Sequence, residues 1–245
     1  MTLEEAVAGD WREAQDKARD IWRHPVETLS FFGLKPGMTV VEIWPGAGWY
    51  TDILAPYLAA SGGKLYAANL QPNDPIAIEV VEAYRQKLRA RPRLYGDVEI
   101  TAFGATSGPM APTGSADLVL TARNVHNWMA AGIVDKAFTD AFTALKPGGV
   151  FGVVEHRGLV ENEAGLLGQA DDIGLAQEAG FILDQASEIN ANPRDTKDHP
   201  FGVWTLPPVR RTSARGQPAD PAFDSSPYEA VGESDRMTLR FIKPT

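Results

Sequence analysis

The sequence predicts an α/β domain: a seven-stranded, mostly parallel sheet with helices on both faces and a long insertion before the last strand. Three observations predict it. Short apolar runs alternate with amphipathic stretches through the first 155 residues. One run, Val40-Val41-Glu42-Ile43, is followed by the turn Trp44-Pro45-Gly46-Ala47-Gly48 and then a helical stretch, the order that opens a doubly wound sheet. A second glycine turn, Lys146-Pro147-Gly148-Gly149, separates a helical stretch from another apolar run.

The elements follow in order. Residues 4–23 read as a charged helix, ended at His24-Pro25 because a residue before proline avoids helical geometry. A short helix is expected over Pro25–Phe32, with proline in its first turn. Thr39–Ile43 is the first strand, and Thr51–Ala60 the helix after the glycine turn. Ser61-Gly62-Gly63 turns into a second strand, Lys64–Asn69. A helix over 76–90 leads to a third strand, Val98–Phe103, and Ala116–Thr121 is the fourth. A helix over 132–145 precedes the fifth strand, Val150–Glu155. A helix near 169–179, then strands at Phe181–Ile189 and Met237–Lys243, complete the set. The expected organisation is one domain: a helical cover (1–36), a core (37–189), an inserted loop or lid (190–236) and the last strand (237–245). A loop of that length inside a compact domain is usually functional or disordered.

Composition narrows the function. Hydrophobic content of 44% and charged content of 22% are ordinary for a globular protein. A net charge of −9 argues against non-specific binding to nucleic acid or anionic membrane. The absence of cysteine excludes disulfides, thiolate metal sites and a thiol nucleophile. The start, Met1-Thr2-Leu3-Glu4-Glu5, lacks the apolar stretch of a signal peptide, and no segment approaches the length of a membrane span. The expected location is cytoplasmic, an exported one staying open if a leader had been removed. Oligomeric state is not legible.

The first glycine turn specifies a ligand type. Glycine lets backbone approach a ligand closely, and the helix start offers free N–H groups. Glu42 adds negative charge beside the turn, so a ligand with a positive group is favoured. S-adenosylmethionine, with its ammonium and sulfonium, fits. The dinucleotide fingerprint G-x-G-x-x-G fails at Thr51, and a diphosphate has no use for Glu42.

These motifs resemble those of class I S-adenosylmethionine-dependent methyltransferases, whose Rossmann-like sheet has seven strands, the last antiparallel beside the fifth. Val40–Gly48 is similar to the family's first motif, with Trp44 where its first glycine is expected, and Leu145–Gly149 to the turn before the fifth strand. More narrowly, Arg23-His24-Pro25, Pro45–Tyr50, Asn124–Trp128 and Asp195–Pro200 resemble a group of bacterial predicted methyltransferases. The resemblance implies methyl transfer from S-adenosylmethionine to a small-molecule acceptor, with Glu42, Gly46 and Gly48 at the methionine end of the donor. Where the family ends its second strand with an acid for the ribose, this chain has Asn69, with Gln71 and Asp74 behind it. Trp49 and Tyr50 are expected to touch the ligand, and Ala102, Phe103 and Asn124 to line the cofactor site.

Proton removal from an acceptor favours histidine, of which the chain has four. His126 follows the fourth strand and His156 closes the fifth, at the carboxyl edge where ligands of open sheets bind. His126 is the first candidate base, with His156 and His199 behind it; a helix-capping role is the alternative for His126, an ion pair for Glu155-His156-Arg157. Arg123, Trp128, Glu155, Arg157, Asp195 and Asp198 are candidate substrate or lid residues. No metal is expected, although Asp195, Asp198 and His199 would serve a metal-dependent hydrolase or lyase on the same fold. A non-catalytic binding protein is the other alternative. Near the N-terminus, Arg19, Asp20, Arg23 and His24 are placed to fold over the cofactor or to form a surface helix.

Overall fold

Seven strands join in one sheet: β1 (Thr39–Ile43), β2 (Lys64–Leu70), β3 (Val98–Phe103), β4 (Ala116–Ala122), β5 (Leu145–His156), β6 (Ile182–Ser187) and β7 (Arg236–Ile242). Their order is β3-β2-β1-β4-β5-β7-β6, and only β7 runs antiparallel to its neighbours. This computed structural model describes residues 1–158 and 168–245; the part of the expected core at 159–167 lies outside the described residues. The helices are α1 (Leu3–Ala8), α2 (Ala14–Lys17), α3 (Asp20–Arg23), α4 (Pro25–Phe31), α5 (Thr51–Ala59), α6 (Pro75–Ala90), α7 (Pro92–Tyr95), α8 (Val125–Ala130), α9 (Val134–Ala144), α10 (Gln169–Glu178) and α11 (Ser226–Val231).

Strand periodicity divides the core in two. Val41 and Ile43 enter one apolar cluster, with Phe138, Phe151 and Phe241; Val40 enters the other, with Phe32, Ile53 and Leu58. Glu42 alternates onto the same face as Val40, toward α5 and α6. After β1 the chain turns to β2, and after β4 to β5 on the opposite side. The connections therefore diverge at the adjacent ends of β1 and β4, which opens a crevice there.

Three segments depart from the sequence reading. The expected helix over 4–23 is three short ones, because Trp11 and Arg12 turn inward between them. The Trp11 indole donates to the Asp52 carbonyl, and the buried Arg12 guanidinium donates to the Val7 carbonyl and the Asp20 carboxylate. A Cβ on Gly9 would lie 2.3 Å from the Trp11 ring, so the break needs glycine there. The fifth strand begins at Leu145, since Leu145 already pairs with Ala116 and Gly148 and Gly149 exchange hydrogen bonds with Lys243. Asn124–Trp128 becomes a helix of its own, α8.

The insertion is tied down at both ends by side-chain amides. Asn190 donates to the hydroxyls of Thr28 and Thr238, and Asn192 to the carbonyls of Val231 and Glu233. Between these ties it carries a 3-10 turn, Gly202–Thr205, and α11.

Gly152 in β5 lies against the Phe32 ring, 2.6 Å from where a Cβ would stand. Gly152→Ala is expected to destabilise the protein by about 1–3 kcal/mol through overpacking, read from urea unfolding. An unchanged midpoint would mean that Phe32 moves aside freely.

Candidate functional site

The crevice at the ends of β1 and β4 holds a cavity of about 310 Å³. Glu42, Trp44, Gly46, Tyr50, Arg123 and Asn124 are on its wall. Glu42 is 3% exposed. It accepts a 2.6 Å hydrogen bond from Thr51, whose hydroxyl also meets Tyr84 at 2.9 Å. Burial is the main reason that its pKa is pushed up to about 7; the Thr51 hydrogen bond works in the opposite direction. The carboxyl is therefore poised near neutrality, facing space a ligand can fill.

The turn beside it is fixed from three sides. Gly46 and Gly48 have φ of +59° and +88°, and a Cβ on Gly48 would lie 3.2–3.3 Å from Lys87, Thr51 and Tyr84. Lys87 donates to the Ala47 carbonyl (2.8 Å) and to Asp52 (2.6 Å). Asn124 donates to the Ile43 carbonyl (3.1 Å) and to Thr121 (3.0 Å), tying the end of β4 to the end of β1.

Trp44 adopts φ +49°, the left-handed conformation a glycine would take easily. Its indole swings away from the face of Glu42, donates to the Phe103 carbonyl (3.0 Å) and packs on Phe103 and Trp128. It thereby separates the first cavity from a second of about 450 Å³, lined by Trp44, Gln71, Asp74 and Phe103 among others. Asp74 caps α6 through Oδ1, which accepts from Ala77 N–H. Asn69 is fully buried and lines neither cavity; its Oδ1 accepts from Leu70 N–H, while Nδ2 has no partner among the described residues. Phe103 is buried and offers the second cavity a ring face, and Ala102 precedes it, partly buried.

Arginines from the N-terminal helices close the first cavity. Arg19 and Arg23 line it and both bind Glu233, at 2.8 and 2.9 Å. Asp20 instead pairs with Arg12, and His24 forms the left-handed junction between α3 and α4. Trp49 lies between the Arg12 and Arg23 guanidinium groups, 5.1 and 4.9 Å from its ring, and donates to the Asp16 carbonyl. Trp49 is thus mainly a clamp for these helices, with Tyr50 packed edge-on against it.

Behind the cavity wall, His126, Glu155 and His156 come together. Glu155, fully buried, accepts hydrogen bonds from Val125 N–H (2.7 Å), His156 N–H (2.7 Å) and His126 Nδ1 (2.9 Å). It caps α8 and fixes the His126 ring, leaving Nε2 without a partner among the described residues. His126 itself is not on the cavity wall; its ring lies against His156 and Trp204. His156 Nδ1 meets Ser234 Oγ at 2.6 Å. Burial comes first, and the charges of Arg123 and Arg236 add to it, holding the His156 pKa well below the usual histidine range. These three residues are the one group among the described residues with metal-ligand spacing, their donor atoms within 4.8 Å of one another. The neighbouring guanidinium groups oppose a dication there, and Glu155 is already engaged by three N–H donors.

The remaining candidates are dispersed. Trp128 is completely buried in the core, so it does not reach a substrate; helical spacing puts it inward on α8. Arg157 forms a bidentate pair with Glu188 and its backbone N–H bonds to the Asp235 carbonyl. Asp195 and His199 pair at 2.8 Å, and the other Asp195 oxygen accepts from Asp235 N–H, which staples the insertion to the start of β7. Asp198 is exposed and bonds Thr196. Asp195, Asp198 and His199 make no three-ligand group among the described residues. Sequence reasoning missed Lys87, Glu233 and Arg236. Lys87 is 40 residues from the carbonyl it holds. Glu233 and Arg236 had only a faint signal, the charged stretch Glu233-Ser234-Asp235-Arg236 leading into the last strand.

No family model and no curated protein sequence matches the chain. Solved structures do match it. A SAM dependent methyltransferase from Aquifex aeolicus is 21% identical, covering 78% of this chain and 94% of that one, with a TM-score of 0.57. The 4+2 cyclase SpnF is 16% identical over 99% of this chain and 92% of its own, with a TM-score of 0.62. An arsenic(III) S-adenosylmethionine methyltransferase from Chlamydomonas reinhardtii is 17% identical over 99% and 73%, with a TM-score of 0.53. With the strand order, these likenesses establish the class I methyltransferase fold expected from the sequence.

Because the folded-state pKa of Glu42 is raised, the carboxyl opposes folding only where it is ionised. The penalty is absent below about 4.5, grows through the interval to about 7, and is complete above it. Glu42→Gln is expected to stabilise the protein at pH 8 by up to about 3 kcal/mol and to change little at pH 4. Denaturant titrations at the two pH values check this; equal effects at both would assign the gain to packing.

Proposed function

We propose that the protein is an S-adenosylmethionine-dependent methyltransferase acting on a small molecule. The observation that carries this reading is the buried Glu42 carboxyl, held at the edge of ionisation beside a rigid glycine turn. A cationic ligand group brought to that wall draws the carboxyl into its charged form, so binding recovers what burial costs. The residues present fit the donor at its amino-acid end: Glu42 for the ammonium, and the turn backbone between Trp44 and Gly48 for close approach. At the nucleoside end the acid is relocated. Asn69 is turned inward, and Asp74 in the second cavity, with Oδ2 free, is assigned the ribose.

When bound, the donor supplies a methyl group on cationic sulfur, open to in-line attack. The protein has to place the acceptor and remove its proton, and placement alone accounts for much of the acceleration. His126 is assigned as the base. Glu155 accepts a hydrogen bond from Nδ1–H, which fixes the tautomer and leaves the Nε2 lone pair to take a proton from the acceptor. The arginine-latched N-terminal helices shield the site from water. The likeness to a cyclase makes binding without methyl transfer the outcome to test against.

S-Adenosylhomocysteine is expected to bind in calorimetry and to raise the melting temperature. Its affinity should be about tenfold weaker at pH 6 than at pH 8, since Glu42 must ionise to receive the ammonium. A pH-independent affinity, or no binding, removes the assignment. His126→Ala should leave that affinity intact and lower turnover by about 100-fold or more once an acceptor is identified. Loss of both together would make His126 a structural residue.

A further inference from the structure

We infer that the acceptor is an anion, a small carboxylate seated on the guanidinium of Arg123; this rests on the methyltransferase reading above. The cavity is over-supplied with positive charge. Arg19, Arg23 and Arg236 all converge on one carboxylate, Glu233, at 2.8, 2.9 and 3.1 Å. Arg19 has a second, looser partner in Asp16 at 3.6 Å. Arg123 is a fourth guanidinium in the same electrostatic neighbourhood, and no carboxylate of the described residues pairs with it. Glu233 is taken three times over. Glu155, the other acid near it, has both oxygens filled by N–H donors.

Arg123 is also placed with care. It lines the cavity, it is partly buried, and its φ of +61° is the left-handed conformation that a long side chain rarely adopts. Its backbone N–H donates to the Val154 carbonyl at 2.7 Å, holding the residue at the end of the sheet. A guanidinium held at the wall of a cavity, with no counter-ion among the described residues, is matched to a planar oxyanion, which it grips with two parallel hydrogen bonds. Removal from water pushes its pKa down to about 10, a penalty that an anionic ligand relieves.

The donor does not supply that anion in surplus. Its carboxylate is offset by its ammonium, and its sulfonium by the Glu42 charge that binding draws out, so the charge of Arg123 stays unmet with the donor in place. An anionic acceptor supplies the missing charge. Anchoring by Arg123 also sets the acceptor at the start of α8, whose first turn carries His126.

The test uses the full chain saturated with S-adenosylhomocysteine. Acetate, succinate, benzoate and 4-hydroxybenzoate are titrated in calorimetry, each beside its amide. At least one carboxylate should bind about tenfold or more tightly than its amide. In Arg123→Met that preference should vanish, in Arg123→Lys it should be partly kept, and both variants should hold S-adenosylhomocysteine within about threefold of the parent. The wild-type comparison of acid with amide stands even if a variant folds poorly. Carboxylates that bind no better than amides, with S-adenosylhomocysteine still bound, overturn this inference alone. A matching loss of S-adenosylhomocysteine in Arg123→Met also overturns it, because Arg123 then serves the donor's own carboxylate. Failure of the parent protein to bind S-adenosylhomocysteine would instead overturn the methyltransferase reading beneath it.

Discussion

A carboxyl group kept out of water at the tip of β1 is the constraint around which the site is organised. Burying Glu42 opposes its ionisation, and the protein offsets that with one short hydrogen bond from Thr51 and the positive charge of Lys87 nearby. Those partners come from two different helices. Thr51 starts α5, immediately beyond the glycine turn, and Lys87 reaches across from the last turn of α6 to grip the turn's own backbone. The geometry of the turn and the state of the carboxyl are thus set by the same side chains. A purely structural residue at this position would be apolar, like Val40 two residues before it on the same face.

A second balance operates across the cavity, with its sign reversed. Glu233 draws three arginines together from α3, from the turn before it and from β7, and so joins the N-terminal cover to the end of the insertion. A buried carboxylate with several guanidinium partners is strongly coupled to each, and removing it would leave buried positive charges unpaired. Charge therefore joins the N-terminal cover to the end of the insertion, beside the packing of the Trp22 ring on Gly232. Trp49 adds a polarisable surface between Arg12 and Arg23, which suits a contact that must both exclude water and tolerate nearby ions.

The positions of the strands along the chain were legible because period and punctuation are local properties. Val40 to Ile43, the Pro/Gly turn, and Lys146 to Gly149 each announce their geometry within a few residues. Glu42 and Gly46 could be placed at the cavity for the same reason, whereas Gly48 lies in the turn without lining it. What could not be read is anything decided by long-range pairing. The inward turn of Trp11 and Arg12 depends on the Asp52 carbonyl and on Asp20, so helix periodicity alone joined three helices into one. Trp128 looked like a site residue beside His126, yet a helix begins at Val125 and its spacing carries the indole into the core. Asp195 and His199 read as lid chemistry. They pair with each other and with the Asp235 backbone, contacts spanning up to 40 residues that no local pattern reveals. The convergence of Glu155 with His126 was likewise invisible, although both positions had been assigned to the carboxyl edge.

Trp44 shows how a departure from a motif is absorbed. A glycine at that place would give room for close approach and a free choice of backbone conformation. The chain keeps the conformation, at φ +49°, and gives up the room. The indole is not left to block the crevice, because its N–H is anchored on the Phe103 carbonyl and its ring packs against Phe103 and Trp128. That anchoring places an aromatic wall between the two cavities. The indole is thus part of both cavity walls. The missing acid on β2 belongs to the same region: Asn69 is buried, and the carboxyl group at the second cavity is that of Asp74, the cap of α6.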